Sequence, residues 1–199
     1  MILTRRRTTI LFFIIGLVVA MLAGWIAVPA ALYESIEQPL GFSHVVHTSD
    51  DTGMVCDDCH HLTSEGGFAG IPKIAICEGC HEEAIGTSKD ELRLVEEYVK
   101  PGREIPWLVY ARQPDNAFFP HVRHTRLAKI PCEQCHGDHG KTETLRPLKR
   151  NRFTGYSRDI WGHDFSGITT SPPNSMKMSD CVDCHRKRGV RDSCLACHK

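Results

Sequence analysis

No cysteine of this 199-residue chain is left over. All 10 fall into Cys-x-x-Cys-His pentapeptides: Cys56, Cys59 and His60; Cys77, Cys80 and His81; Cys132, Cys135 and His136; Cys181, Cys184 and His185; Cys194, Cys197 and His198. A disulfide framework would have to draw on those same cysteines, and it would leave the abutting histidines unexplained. Net charge is lacking too: 24 Lys and Arg balance 24 Asp and Glu, for a formal net charge of +0. No nucleic-acid partner is expected. No charged side chain occurs between Thr8 and Tyr33. Material for an ordinary core is also scarce, with 16 glycines and 11 prolines in the chain.

What is present is a repeated chemistry. Two cysteines, two spacers and a histidine form the attachment signature of a c-type haem. The thiols become thioethers and the adjacent histidine becomes the proximal iron ligand. Structural zinc is the rival, since paired cysteines with nearby histidines also bind it. Zinc does not require the histidine to follow the second cysteine directly, however, and here it always does. Five covalent haems are therefore expected, and their porphyrin faces must replace much of the missing apolar core. Short helices and loops would wrap them.

A second repeat lies upstream of two of the motifs. Phe42-Ser43-His44-Val45-Val46-His47-Thr48 and Phe119-Pro120-His121-Val122-Arg123-His124-Thr125 share the pattern Phe-x-His-Val-x-His-Thr. An internal repeat takes precedence over residue-level readings. At this spacing both histidines of a pair cannot reach one iron, so each is expected to serve a different haem.

The chain has 12 histidines. Beyond the five proximal ones remain His44, His47, His61, His121, His124, His139 and His163, enough to give every iron a second imidazole. Met176 and Met178 could also ligate, although packing or loop roles suit them better. Bis-histidine ligation leaves no open position for a substrate and lacks the upward pull on potential of Met/His ligation, which favours electron transfer over catalysis.

At the N-terminus, Arg5-Arg6-Arg7 precedes the uncharged run to Tyr33. A spanning helix needs about 20 apolar residues, and the arginine flank places the N-terminus in the cytoplasm. A cleavable signal peptide is the alternative, with Val28-Pro29-Ala30 resembling a cleavage site, but a signal h-region is usually about 7–15 residues long. The expectation is a retained single-pass anchor in the inner membrane with the haem domain in the periplasm. One regular helix is expected after it. Ser88-Lys89-Asp90-Glu91 reads as a capping box, Leu92, Val95 and Val99 form an apolar stripe widened by Leu94 and Tyr98, and Pro101-Gly102 ends it. This divides the chain into residues 1–33 (cytoplasmic N-terminus and anchor), 34–100 (a two-haem lobe with linker helix) and 101–199 (a three-haem lobe). A long loop from Gly137 to Asp180 holds Trp161, His163 and Pro172-Pro173.

His44-x-x-His47 followed by Cys56-Asp57-Asp58-Cys59-His60-His61 resembles the opening of the cytochrome c3 and c7 family. The whole layout is more similar to the multihaem cytochrome subunits of menaquinone reductase complexes, and also to the pentahaem subunit of alternative complex III. It is carried by the anchor, by Ile105-Pro106-Trp107 through Pro114-Asp115, and by Phe119-x-His121-x-x-His124 with the third motif. The resemblance implies a multihaem cytochrome c of two c3-like lobes. It pairs His44 with the haem of His60, His61 with that of His81, His121 with that of His136, His139 with that of His185 and His124 with that of His198. It further implies electron entry from soluble periplasmic cytochrome c3. The other partners implied are molybdopterin-like, iron–sulfur and integral membrane quinone-binding subunits, with electrons passing toward menaquinone and no catalytic site on this chain. A membrane-anchored quinol dehydrogenase is the runner-up. A nitrite or hydroxylamine enzyme would need a vacant iron site, and the chain has spare histidines and no lysine variant of the motif.

Two further expectations follow. Between Asp50 and Val99 twelve acidic side chains face three basic ones (Lys73, Lys89, Arg93), a balance of −9, whereas Lys141 to Lys199 holds twelve basic and six acidic, a balance of +6. The acidic lobe suits a basic redox partner by long-range steering. On the pairing above, His47 and His163 are unassigned. They would suffice for one extra haem held without thioethers, or His163 is an ordinary loop residue, which is the expectation.

Overall fold

A computed structural model describes residues 2–110, 116–153, 176 and 178–198 of the chain. His163, Trp161, Pro172-Pro173 and Pro114-Asp115 lie outside the described residues.

Helix α1 (Ile2–Leu22) runs into a π-helical turn, Ala23–Ala27, and then into α2, Val28–Leu32. Pro29 supplies no N–H, so the carbonyl four residues earlier loses its ordinary partner. The chain responds by widening, and the Val28 N–H reaches back to Ala23 O. Large apolar side chains point outward all round this segment, with Phe12 69%, Phe13 70% and Ile26 62% exposed. Among the described residues no single helix is long and apolar enough to cross a membrane. The arginines occupy the early turns of α1, and its apolar part, residues 8–22, falls short of the about 20 residues a span needs. The apolar run is completed only by the π turn and α2.

Strand β1 (Tyr33–Ile36) follows directly and pairs antiparallel with β2 (Leu148–Asn151), Glu34 opposite Arg150. Arg150 Nη2 donates to Glu34 Oε1 at 2.7 Å. An exposed pair of this sort contributes about 0.2–1 kcal/mol, so it fixes register more than it stabilises.

Only Leu40, Ile74, Val95, Tyr98, Val99, Ile105, Ile130 and Leu148 are buried hydrophobics among the described residues. Five of them (Leu40, Ile74, Tyr98, Val99 and Ile105) form one cluster, with Cys77, Leu94 and Trp107 packed against it. The helix that closes this cluster is α6 (Lys89–Arg93) continued by π winding over Leu94–Val99. Ser88 caps it as expected, its Oγ accepting from the Glu91 N–H at 3.1 Å. The other half of the expected capping box is absent. Glu91 turns instead to the Ile85 N–H at 2.7 Å and the Gly86 N–H at 2.8 Å, two free amides just upstream. Leu92 is likewise not in the core but 47% exposed, because the wider winding swings Tyr98 onto the buried face. Gly102, at φ +64, ends the helix.

The cysteine motifs sit on short helices: α4 (Cys56–Cys59), α5 (Ile74–His81), α7 (Glu133–His136), α8 (Met178–Lys187) and α9 (Cys194–Cys197). The first repeat adds α3 (His44–His47), and the second a π turn, Arg123–Leu127. Several hydrogen bonds cross the position 100/101 boundary. His44 N–H donates to Thr142 O at 2.9 Å, Val122 N–H to Gly66 O at 3.0 Å and Leu108 N–H to Gln38 Oε1 at 3.0 Å.

Candidate haem-binding sites

Cysteines three residues apart on a helical turn share a face, and the following histidine begins the next turn. This presents two thiols and an imidazole to one side. Burial pushes the thiols of Cys59, Cys77, Cys132 and Cys135 above their ordinary pKa, and that of Cys181 up to about 11. Neighbouring acidic groups and thiols add to the effect. These are protonated, half-buried thiols rather than a preformed thiolate cage. A structural zinc site needs four convergent ligands, and among the described residues no three His, Cys, Asp or Glu converge on a metal position.

The histidines face one another in pairs instead. His121 and His136 have ring centroids 6.4 Å apart with planes 6° from parallel. His124 and His185 are 6.2 Å apart at 17°, and His47 and His81 are 6.1 Å apart at 49°. Two imidazoles on opposite sides of one metal, each at about 2 Å, would have centroids about 6 Å apart. Each pair thus leaves the span that one iron fills.

The other ring nitrogen is tied down, which decides the tautomer. Nδ1–H donates to a backbone carbonyl in His47 (Ser43 O, 2.7 Å), His60 (Gly70 O, 2.8 Å), His121 (Gly67 O, 2.8 Å) and His124 (Pro120 O, 3.0 Å). The same holds for His185 (Arg191 O, 3.1 Å) and His198 (Asn116 O, 3.2 Å). Thr142 gives its one hydroxyl proton to His139 O at 2.9 Å, so it can only accept from His44 Nδ1–H at 3.2 Å. In every case Nε2 keeps its lone pair. His81 is the exception: its buried Nδ1 lies 3.2 Å from Glu91 Oε1 without hydrogen-bond alignment. Burial, helped by His139, His60 and His47, lowers the pKa of His44 to about 4, and burial lowers that of His139 too. Both imidazoles are neutral at physiological pH, as metal ligation requires.

The two repeats match in detail. Phe42 stacks on His47 at 4.4 Å and meets His44 edge-on at 5.0 Å. Phe119 stacks on His124 at 4.2 Å and meets His121 edge-on at 4.9 Å. Thr48 Oγ1 donates to His44 O, and Thr125 Oγ1 to His121 O. The phenylalanine and threonine are what make the heptapeptide a module.

The sequence-based pairing differs from this geometry in three places. His81 is faced by His47, while His61 is exposed. His124 faces His185 and not His198. His139 lies 5.0 Å from His44, tilted by 54°, with Tyr110 edge-on at 5.8 Å, and not against His185. In the first two cases a repeat histidine on a short helix reaches a neighbouring motif without leaving that helix; in the third, Thr142 Oγ1 bonds to both His44 Nδ1 and His139 O and so holds those two together. The donor set, the free Nε2 atoms and the gaps all fit covalently attached, bis-imidazole haem. Met176 and Met178 are exposed. The carbonyl acceptors of Nδ1 carry no sequence signal, whereas the paired Phe42 and Phe119 could have been read from the repeat.

No family model matches the chain. It is 40% identical over 202 residues to the menaquinone reductase multihaem cytochrome c subunit of Nitratidesulfovibrio vulgaris (strain Hildenborough), covering 94% of this chain and 89% of that one. The chain belongs to the family of that subunit. It is a multihaem cytochrome c built mainly of short helices and loops, and covalent c-type haems are its cofactors.

Proposed function

We propose that the chain is the periplasmic electron-relay subunit of a membrane quinone oxidoreductase. It takes electrons from a soluble cytochrome c3 and passes them through five covalent haems toward menaquinone. The observation that carries this reading is the set of facing imidazoles, His47–His81, His121–His136 and His124–His185, about 6 Å apart, with Nδ1 of His47, His121, His124 and His185 held by carbonyls so that their Nε2 atoms are free. When bound, the haems supply one-electron chemistry at iron. The chain's own residues fix position and potential. The cysteines anchor, the motif histidines and the repeat histidines would ligate from opposite sides, and the carbonyls of Ser43, Gly67, Gly70 and Pro120 hold the rings in register. A second imidazole on each iron would leave no place for a substrate, which supports a catalytic site on another subunit. The N. vulgaris relative is named as one subunit of a reductase, which supports partner subunits here; molybdopterin-like, iron–sulfur and membrane quinone-binding chains are the partners proposed.

The anchor is proposed over residues 8–33, single-pass, with the N-terminus cytoplasmic. Support comes from the outward-facing apolar side chains between Ile10 and Val28 and from the arginine flank. Isolating the complex from native membranes tests the whole reading. Reduced cytochrome c3 should drive reduction of a menaquinone analogue through the haems of this chain. Rapid oxidation of quinol by the isolated chain would point to a quinol dehydrogenase instead.

A further inference from the structure

The two halves of the chain exchange histidine supports. The loop after motif one carries Gly67, whose carbonyl accepts from His121 Nδ1 of the second repeat at 2.8 Å. The segment after motif three carries Thr142, whose hydroxyl accepts from His44 Nδ1 of the first repeat at 3.2 Å. Backbone bonds reinforce both contacts: His121 N–H to Gly67 O at 3.3 Å and Val122 N–H to Gly66 O at 3.0 Å, then His44 N–H to Thr142 O at 2.9 Å. Three residues beyond Gly67, Gly70 O accepts from His60 Nδ1 at 2.8 Å. One short loop therefore orients the proximal imidazole of motif one and the imidazole that faces motif three.

We infer that the five motifs are strung in space in the order two, one, three, four, five, and that the loop from Gly66 to Gly70, with Thr142, is the joint at which electrons cross between the halves. The inference rests on the haem ligation proposed above. His47 reaches motif two from the helical turn whose His44 is held by Thr142. His121 and His124, on one turn, reach motifs three and four. Motif five is tied to the segment entering that turn, by Phe118 N–H to Cys197 O at 2.7 Å and His198 Nδ1–H to Asn116 O at 3.2 Å. The thiols agree with the order, since Cys132 lies beside Cys56 and Cys135 beside Cys184. Each crossing moves one electron: the group on one side of the joint is oxidised as the group on the other is reduced, and no atom or proton is transferred.

Gly66 gives a handle on the joint. It sits at φ +66, and a Cβ there would lie 2.7 Å from Val122 Cγ1 and 2.8 Å from Val122 Cβ. Gly66→Ala must displace the loop and, with it, the acceptors at Gly67 and Gly70. The readout is the set of paramagnetically shifted haem-methyl NMR signals of the oxidised, fully loaded protein. Reference variants His121→Met and His47→Met mark the signals of motif three and motif two. In Gly66→Ala the signals of two haems should shift, one being the set marked by His121→Met, while the set marked by His47→Met stays in place. A shift confined to one haem, or one that includes the His47→Met set, overturns the joint. Should Gly66→Ala fail to accumulate with its haems, the near-isosteric Thr142→Val decides instead. It should move a single set, different from both marked sets, and movement of the His47→Met set overturns the order. These spectra require no quinone. A protein that passes no electrons to menaquinone would sink the functional reading and leave the joint standing.

Discussion

His47 faces His81 with ring centroids 6.1 Å apart, its own Nδ1 held 2.7 Å from Ser43 O. His61, next to the first motif, is exposed. The tandem histidine of the c3 pattern is thus displaced by the second histidine of the repeat, which stacks on Phe42. His47→Ala should open one iron, giving a high-spin haem that binds carbon monoxide when reduced. His61→Ala should leave every haem low-spin. Visible and EPR spectra of the two variants check this, and a high-spin haem in His61→Ala alone would restore the pairing drawn from the sequence.

Among the described residues Glu91 is the carboxylate paired with a motif histidine, 3.2 Å from His81 Nδ1, with both side chains largely covered at 18% and 15% exposure. It also takes the Ile85 and Gly86 N–H groups. A negative charge so close favours the oxidised, more positive iron. Glu91→Gln should therefore raise the midpoint potential of one haem, the same one opened by His47→Ala. Glu91→Ala should in addition cost about 0.5–1.5 kcal/mol of stability for each of the two exposed hydrogen bonds lost. Redox titration and thermal unfolding of the loaded protein measure the two effects.

The motifs, the repeat and the scarcity of core were legible because each is written in residue type: cysteines at i and i+3, a histidine behind them, phenylalanine and threonine flanking the His pairs. The pairing of imidazoles was not legible, since it depends on which motif a short helix reaches once the two halves interlock. Neither were the acceptors at Gly67, Gly70 and Pro120, because a backbone carbonyl is offered by every residue. Strand β1 was not legible because Tyr33–Ile36 is only four residues long and carries Glu34 and Ser35 directly after the apolar run, and its partner Leu148–Asn151 has no strand-like composition. The helix after Ser88 was placed correctly, but π winding rotated its stripe and put Leu92 outside.

The acidic surface around the first two motifs should steer a basic donor. Asp57, Asp58, Glu82 and Glu83 are exposed, beside the helices that carry Cys56, Cys59, Cys77 and Cys80. Replacing the four with lysine should slow reduction by cytochrome c3 on the order of tenfold or more, and raising the salt should slow the wild type. Stopped-flow reduction at two ionic strengths is the measurement. Equal rates throughout would move the docking face elsewhere, with the basic helix around Arg186, Lys187 and Arg188 the next surface to test.

The apolar segment should persist in the mature protein. Among the described residues its large apolar side chains, such as Ile10, Phe12, Phe13, Ile26 and Val28, are exposed, and the π turn at Ala23–Ala27 leads directly into α2 with its Pro29. N-terminal sequencing of the purified subunit should place its start upstream of Thr8, and the haem domain should resist alkaline extraction from membranes. A start near Ala31 would identify the segment as a cleaved signal.

Haem stoichiometry is the last test. The motifs provide for five covalent haems, and a sixth held only by axial ligands was assigned His47 and His163 on the sequence pairing. His47 faces His81, and His44 is bound to Thr142 beside His139, so the first repeat has no idle imidazole for an extra iron. Five haems per chain are therefore expected by pyridine haemochrome, none of them removed by acid–acetone extraction, and His163→Ala should leave the count unchanged. An extractable sixth haem that disappears in His163→Ala would mean that His163 shares an iron with a histidine not used by a motif, and His61, exposed beside His60, would be the residue to replace next.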